Sequence, residues 1–422
     1  MIVNLPYGKS HLPVDVPEWA TVLQSKQIPE LKNAKAAALE ALSNPIGSPP
    51  LKELVKSRDK VAIVISDITR PTPNHLIIPW LLEELAAVPL DNITIINGTG
   101  SHRENTEEEL TAMLGQQVME SVRVINHSAF KAEELVYLGN SSTGGEGFLN
   151  KTYCEADVKI GTGFIEPHFF AGFSGGPKSI MPGVAGLDSI MHFHSAALIG
   201  DPNSTWGLID ENPIQQEASE IALMAKPDFS FNVTLNSQKE ITGIFAGDLI
   251  EAHRQGAAAV KEQTMIPCPQ PFDIVLTTNS GYPLDQNLYQ AVKGMSAAHQ
   301  IVKEGGCIIC AAECSEGIPA HGNFGEILQM GDNPDPLLDI INDPEFSMFD
   351  QWEAQKMAII QTWADIYLYS NLSPELVEMA QLSPVSDISK TLDQLIASMG
   401  PETSIAVLAE GPLTIPFIKV DI

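Results

Sequence analysis

Five apolar runs of strand length most constrain what this chain can become: "KVAIVIS" (60–66), "NITIING" (92–98), "DVKIGTG" (157–163), "FDIVLTT" (272–278) and "GGCIICAAE" (305–313). Longer helical patterns lie between them, such as "TEEELTAMLG" (106–115), "DLIEAHRQGAAAVKEQ" (248–263) and "NLYQAVKGMSAAHQIVKE" (287–304). Strands that alternate with helices argue for an α/β protein with largely parallel sheets. The residues "TEEE" from Thr106 to Glu109 form a capping-box pattern, which predicts a helix start just after His102.

A chain of 422 residues is long enough for two or three domains at roughly 100–200 residues each. The segment "TMIPCPQPFD" (264–273) carries three prolines ahead of a fresh strand, which marks a domain boundary. The expected organisation is therefore an N-terminal α/β domain over 1–270 and a C-terminal α/β domain over 271–402. The β-like tail "TSIAVLAEGPLTIPFIKV" (403–420) returns to either of them.

In open α/β sheets, ligands bind beyond the carboxyl ends of the strands. The loops after these strands collect polar residues: Asp67, Thr69 and Arg70; His102 and Arg103; Glu166, His168 and Lys178; Gln290 and Lys293. Four such loops predict an active-site cleft between the two domains.

Each candidate has a plain structural alternative. Arg70 could be a surface arginine beside Asp67, but flanking prolines stiffen its loop, and a planar guanidinium suits a carboxylate or phosphate. A single loop histidine is more often structural than catalytic. His102 and His168 follow neighbouring strands, however, and one base on each face of a substrate is what epimerisation requires. His192 and His194 sit two apart, on one side of an extended segment, but two histidines alone do not make a metal site. Gln290 and Lys293 lie three apart on one helix face, where a solvated surface is the competing interpretation. The cysteines 307, 310 and 314 fall in an Ile- and Ala-rich strand, with no second pair at zinc spacing, so they take no metal or redox role.

The loop "FFAGFSGGPKSIMPG" (169–183) holds Lys178 after a run of glycines. It is not a P-loop, because Pro177 stands where the glycine before the lysine belongs and removes a backbone donor. "GTGSHR" and "GTGFIE" likewise lack the third glycine of the dinucleotide fingerprint. The amides of Gly172, Ser174, Gly175 and Gly176 could still form an anion nest, and Lys178 could be a charge, a base or a point of covalent attachment.

Composition narrows the partners. With 24 basic against 53 acidic side chains, a net charge of -29, the chain repels nucleic acid and anionic lipid. A small anionic ligand then needs a local basic pocket. No signal peptide or membrane-length apolar stretch is visible, and five cysteines suit a reducing compartment, so a cytoplasmic protein is expected.

Four motifs in order, "SDITRPTP", "GTGSHRENTEEEL", "EPHFFAGFSGGPKSIMPG" and "GYPLDQNLYQAVKGMSAA", resemble the nickel-dependent lactate racemase family, with supporting similarity from "SNPIGS" (43–48) to "DQWEAQ" (350–355). The resemblance implies a 2-hydroxyacid racemase or epimerase that works by hydride transfer. Its cofactor would be nickel held by pyridinium-3-thioamide-5-thiocarboxylic acid mononucleotide, tethered to Lys178 and loaded by maturation enzymes. It further implies His194 as nickel ligand, His102 and His168 as the acid/base pair, and Asp67, Ile68, Thr69 and Arg70 against the cofactor or substrate. Gly172, Ser174, Gly175 and Gly176 would let the chain close around the cofactor. Arg70, Tyr289, Gln290, Lys293 and Trp352 would hold a 2-hydroxycarboxylate, and a homodimer is one assembly to test.

The chain departs from well-known members at Ile68, where a histidine is usual, at Pro177, where arginine is common, and at Pro167, where serine occurs. These changes alter the pocket lining, and Trp352 with Phe169 and Phe170 suggests an apolar pocket for the substrate side chain. Two readings compete with this one: a phosphate- or nucleotide-dependent transferase using the Lys178 loop, and a non-catalytic protein that binds a hydroxy acid or nickel.

Overall fold

The computed structural model describes residues 1–319 and 322–419. They form two compact units. One comprises Gln27–His194 and Asn203–Glu262; the other comprises Met1–Lys26, Ser195–Pro202 and Gln263–Ile422.

The first unit is built on a six-stranded sheet in the order Ile241–Gly247, Phe229–Leu235, Val158–Phe164, Val61–Ser66, Ile93–Gly98, Arg123–Asn126. All neighbours are parallel except the antiparallel edge pair of Ile241–Gly247 with Phe229–Leu235. Val61 pairs with Ile93 on one side and Val158 on the other, which aligns three carboxyl ends. Val61 to Ile65 are all buried, as expected for a strand covered on both faces. The helix Glu107–Leu114 starts at the predicted capping box, with Thr106 and Glu109 bonded reciprocally.

The second unit has a six-stranded sheet in the order Ser383–Val385, Asp365–Tyr369, Val302–Ala311, Phe272–Thr278, Ile405–Leu408, Thr21–Leu23. Every pair in it is parallel. The α/β architecture with parallel sheets is thus as expected.

The domain limits differ from expectation. Residues 1–26 and 195–202 belong with the C-terminal unit. Thr21 pairs with Ala406 at the sheet edge, and the helix Ala196–Gly200 is tied to Gln351–Trp363 by Gln355 Nε2 donating to the Ala196 carbonyl at 2.8 Å. Edge strands need backbone partners wherever the chain supplies them, regardless of sequence distance. The tail takes its place in the same unit, with Ile405–Leu408 beside Phe272–Thr278. The proline-rich segment near 264–273 is itself part strand, since Met265–Cys268 pairs with Ile415–Ile418. The helix expected over 287–304 ends at His299, and the next strand begins at Val302.

Candidate active site

Three adjacent strands of the first unit deliver the Asp67, His102 and Lys178 loops. After Val61–Ser66 the chain turns tightly, with the Arg70 amide donating to the Asp67 carbonyl at 3.1 Å. Asp67 is buried. Its Oδ1 accepts from Thr69 Oγ1 at 2.6 Å, and its Oδ2 lies 2.8 Å from His102 Nδ1. Burial pushes the Asp67 carboxyl up, but the bonds from His102 and Thr69 and the nearby Arg70 charge outweigh it, so the net shift is downward. Because a carboxylate can only accept, His102 Nδ1 carries the proton and Nε2 is the basic atom of the neutral ring. The Ile68 amide is held by Asn105 Oδ1, which also accepts from Asn97 at the end of Ile93–Gly98. The Ile68 side chain is exposed. Arg103 is committed elsewhere: it forks onto Glu109 of the capping box at 2.8 and 2.6 Å.

The loop after Val158–Phe164 gathers its polar residues around one ring. Phe170 is buried and meets His168 edge-on at 4.4 Å and His194 edge-on at 5.5 Å between ring centroids. Lys178 Nζ sits 5.3 Å from the Phe170 centroid and 5.6 Å from that of Phe193. His168 lies in a short antiparallel pair opposite Gly172, and its Nδ1 accepts from the Ala171 amide at 3.4 Å. The structure therefore brings His168, Lys178 and His194 together. The Gly100 amide donates to the Gly183 carbonyl at 2.9 Å, which ties the His102 loop to the far end of the Lys178 loop.

His192 and His194 do not share an extended segment. Leu187–Phe193 is a helix, with His192 in its last turn and His194 just beyond it. The rings diverge: His192 Nε2 meets Thr143 Oγ1 at 2.9 Å, whereas His194 Nδ1 meets the Ile190 carbonyl at 2.8 Å. That carbonyl also places the proton on Nδ1, leaving Nε2 as the donor atom of the neutral ring. Burial, opposed by this bond and aided by the Lys178 charge, pushes His194 down to about 3.

The glycines serve packing rather than an anion nest. The Gly176 amide donates to Asn232 Oδ1 at 2.9 Å, and the Ser174 amide to the Glu166 carbonyl at 2.9 Å. Those two donors are taken, which removes the main support for a phosphate cradle. At Gly172 a Cβ would stand 1.7 Å from the Leu208 carbonyl oxygen, and at Gly175 it would stand 2.9 Å from Ile165 Cγ1. Phe169 and Phe170 are also buried, so neither lines an open apolar pocket.

The second unit holds the other candidates. Asn287 caps the helix Leu288–His299, and Lys293 Nζ donates to Gln290 Oε1 at 2.6 Å. The two do share a helix face. Trp352 is buried and donates from Nε1 to the Tyr289 hydroxyl at 3.0 Å, so its ring packs within this unit. Beside it Glu353 is buried with Oε1 lacking a hydrogen-bond partner. Burial pushes this carboxyl up to about 8, against the charge of Lys293. Cys307, Cys310 and Cys314 are buried thiols pushed up by desolvation.

Sequence reasoning missed Glu353, Asn232 and His253. The last of these had a signal: Leu249, Ala252, His253, Gly256, Ala257 and Val260 form the buried stripe of the helix Leu249–Thr264, so its histidine faces inward.

Residues 7–207 match the family model described as the lactate racemase N-terminal domain, and residues 268–415 match the lactate racemase C-terminal domain. The chain is 36% identical over 416 residues to lactate racemase of Lactiplantibacillus plantarum, covering 97% of this chain and 98% of that one. It is also 36% identical over 420 residues to lactate racemase of Thermoanaerobacterium thermosaccharolyticum, covering 97% of each. The solved lactate racemase apoprotein from that second organism superposes with a TM-score of 0.92 at 34% identity, covering 99% of this chain and 100% of that one. A Thermotoga maritima protein at 19% identity, with a TM-score of 0.68, shares the fold. No helix among the described residues is long and apolar enough to cross a membrane. Matched along nearly its whole length, the chain belongs to the lactate racemase family and is an isomerase.

Proposed function

We propose that this isomerase inverts the α-carbon of a 2-hydroxy acid, lactate or a close relative, with His102 and His168 as the acid/base pair. The observation that carries this reading is the buried Asp67 carboxylate on Nδ1 of His102. A carboxylate there fixes the orientation and tautomer of the ring and leaves Nε2 as the proton-accepting atom, which a general base requires.

The reaction has one hard step. The α-proton of a hydroxycarboxylate is very weakly acidic, because the adjacent group is already an anion. Removing the α-hydrogen as hydride avoids a dianion and calls for a cofactor. Among the described residues, no three His, Cys, Asp or Glu side chains are grouped to hold a metal. One imidazole, His194, and one amine, Lys178, instead face a shared pair of aromatic rings, Phe170 and Phe193. A tethered nucleotide that brings most of nickel's donors with it fits this set. Lys178 would carry the tether and His194 Nε2 would be the protein's ligand. When bound, the nickel-pincer nucleotide supplies a reversible acceptor for hydride.

The chain's own residues do the rest. His102 Nε2 takes the hydroxyl proton of one enantiomer as the α-hydrogen leaves, and His168 is the acid/base partner for the other. Arg70 offers a guanidinium to the substrate carboxylate, and Lys293, with its 2.6 Å bond to Gln290, offers an ammonium. Each is a cation offered by its own unit in a chain whose net charge is -29.

The test uses protein produced with its maturation enzymes. Intact mass should show an adduct at Lys178, and chiral chromatography should show D- and L-lactate, or another 2-hydroxy acid in a panel, interconverting. Adduct-bearing, nickel-loaded protein that inverts none of them would sink the reading. His102→Ala separates enzyme from binder: ligand should still bind while inversion stops.

A further inference from the structure

We infer that His253 and Asn232 together form a brace that holds the Lys178 loop in the conformation from which the lysine accepts its tether. The inference rests on the tethering role proposed above. Neither residue lies in a segment matched by the two family models, which stop at 207 and resume at 268.

Lys178 sits in a single 3-10 turn, Gly176–Ser179. The turn is closed on its own backbone by the Lys178 amide donating to the Gly175 carbonyl at 3.1 Å and Ser179 Oγ donating to the Gly176 carbonyl at 2.7 Å. A turn that opens on two consecutive glycines with positive φ, Gly175 at 74° and Gly176 at 51°, has little conformational preference of its own at that entry. Something outside it must select one geometry.

Two buried side chains do so from two elements. Asn232, in the strand Phe229–Leu235, accepts the Gly176 amide at 2.9 Å. His253, on the helix Leu249–Thr264, donates from Nε2 to the Ser174 carbonyl at 2.9 Å. The His253 ring also lies flush against the turn: a Cβ at Gly176 would stand 2.4 Å from its Cγ. The ring and the glycine are thus a matched pair, because no other residue at 176 leaves room for it. Both His253 and Asn232 are almost wholly buried, so these bonds are made away from competing water, where they restrict geometry most.

The carbonyl acceptor puts the His253 proton on Nε2, and burial pushes the ring down to about 4, so it is neutral near Lys178. A neutral brace adds no second cation beside the amine that must react. His253 and Asn232 are accordingly positioning residues; neither needs to touch substrate.

The experiment compares protein co-produced with the maturation enzymes as wild type, His253→Phe and His253→Gln. Phenylalanine keeps the ring and drops the donor; glutamine restores an N–H at similar reach. The readouts are the fraction of chains with the Lys178 adduct, by intact mass, and amide exchange across residues 174–179. His253→Phe should lower the loaded fraction about tenfold or more and speed exchange in the loop while the central strands stay protected. His253→Gln should restore most of the loading. A folded His253→Phe protein loaded like wild type overturns the brace, as does failure of the glutamine variant to rescue. If the phenylalanine variant does not fold, Asn232→Leu, which removes the Gly176 acceptor, is judged by the same loaded fraction. Wild-type protein without adduct would instead overturn the tethering role itself.

Discussion

His102 Nδ1 lies 2.8 Å from Oδ2 of the buried Asp67. The pair joins the loops of two neighbouring parallel strands, so the sheet itself sets the orientation of the ring. Asp67→Asn keeps the shape but turns a pure acceptor into a group that can donate, so the ring can settle in the wrong tautomer. Inversion by adduct-bearing protein should fall about 10²–10⁴-fold. A drop under threefold would mean that Asp67 is not needed to orient His102.

Asp67 also makes stability depend on pH. Its folded pKa is lowered, so its contribution is present above the unfolded value of about 3.9 and is lost as pH falls through the folded value. In urea titrations, Asp67→Asn should show less acid sensitivity below that point than wild type.

Glu353 carries the opposite sign. Its folded pKa is raised to about 8, so the folded state holds a proton that the unfolded state has released. Its contribution is full below the unfolded pKa of about 4.3 and is lost as pH rises through 8. Glu353→Gln should flatten the thermal midpoint of the unloaded protein across that window and raise it relative to wild type at its alkaline end. An unchanged slope would rule Glu353 out as its source.

Lys293→Met removes a cation assigned to the substrate carboxylate. A charged hydrogen bond is worth about 1.5–3 kcal/mol, which is roughly a 10- to 150-fold change in binding. The change should appear in KM rather than kcat, because the carboxylate is bound equally before and during reaction. A loss confined to kcat would place Lys293 in the chemical step instead.

His194→Ala separates ligand from tether. Nickel content by elemental analysis should fall from near one per chain to near zero, while the Lys178 adduct mass persists. Full nickel retention would remove His194 from the metal site.

Much of this was legible in one dimension. The apolar runs ending at Ser66, Gly98 and Thr278 are strands in the structure, ending at those residues, because residues buried on both faces leave an unbroken apolar signature. The Thr106–Glu109 cap was equally local. His192 and His194 misled because a spacing of two suits a strand, whereas the segment is a short helix ending between them. The glycine run misled for a different reason. Glycine permits many backbone shapes, and only the contacts at Gly172 and Gly176, with Leu208 and His253, reveal that close packing requires its absent side chain.

The order of residues along the chain was enough for the α/β class, the polar loops after the strands, and the motif order that marks the family. These depend on periodicity and on short-range chemistry. Packing in three dimensions set which residues meet. Residues 1–26 and 195–202 joined the C-terminal unit, since an edge strand such as Thr21–Leu23 takes its backbone partner from Ile405–Leu408, far along the chain. It likewise gathered His168, Lys178 and His194 about Phe170 and set His253 beneath the lysine loop. Contacts between residues tens of positions apart depend on how helices and strands pack, and no local pattern records that packing.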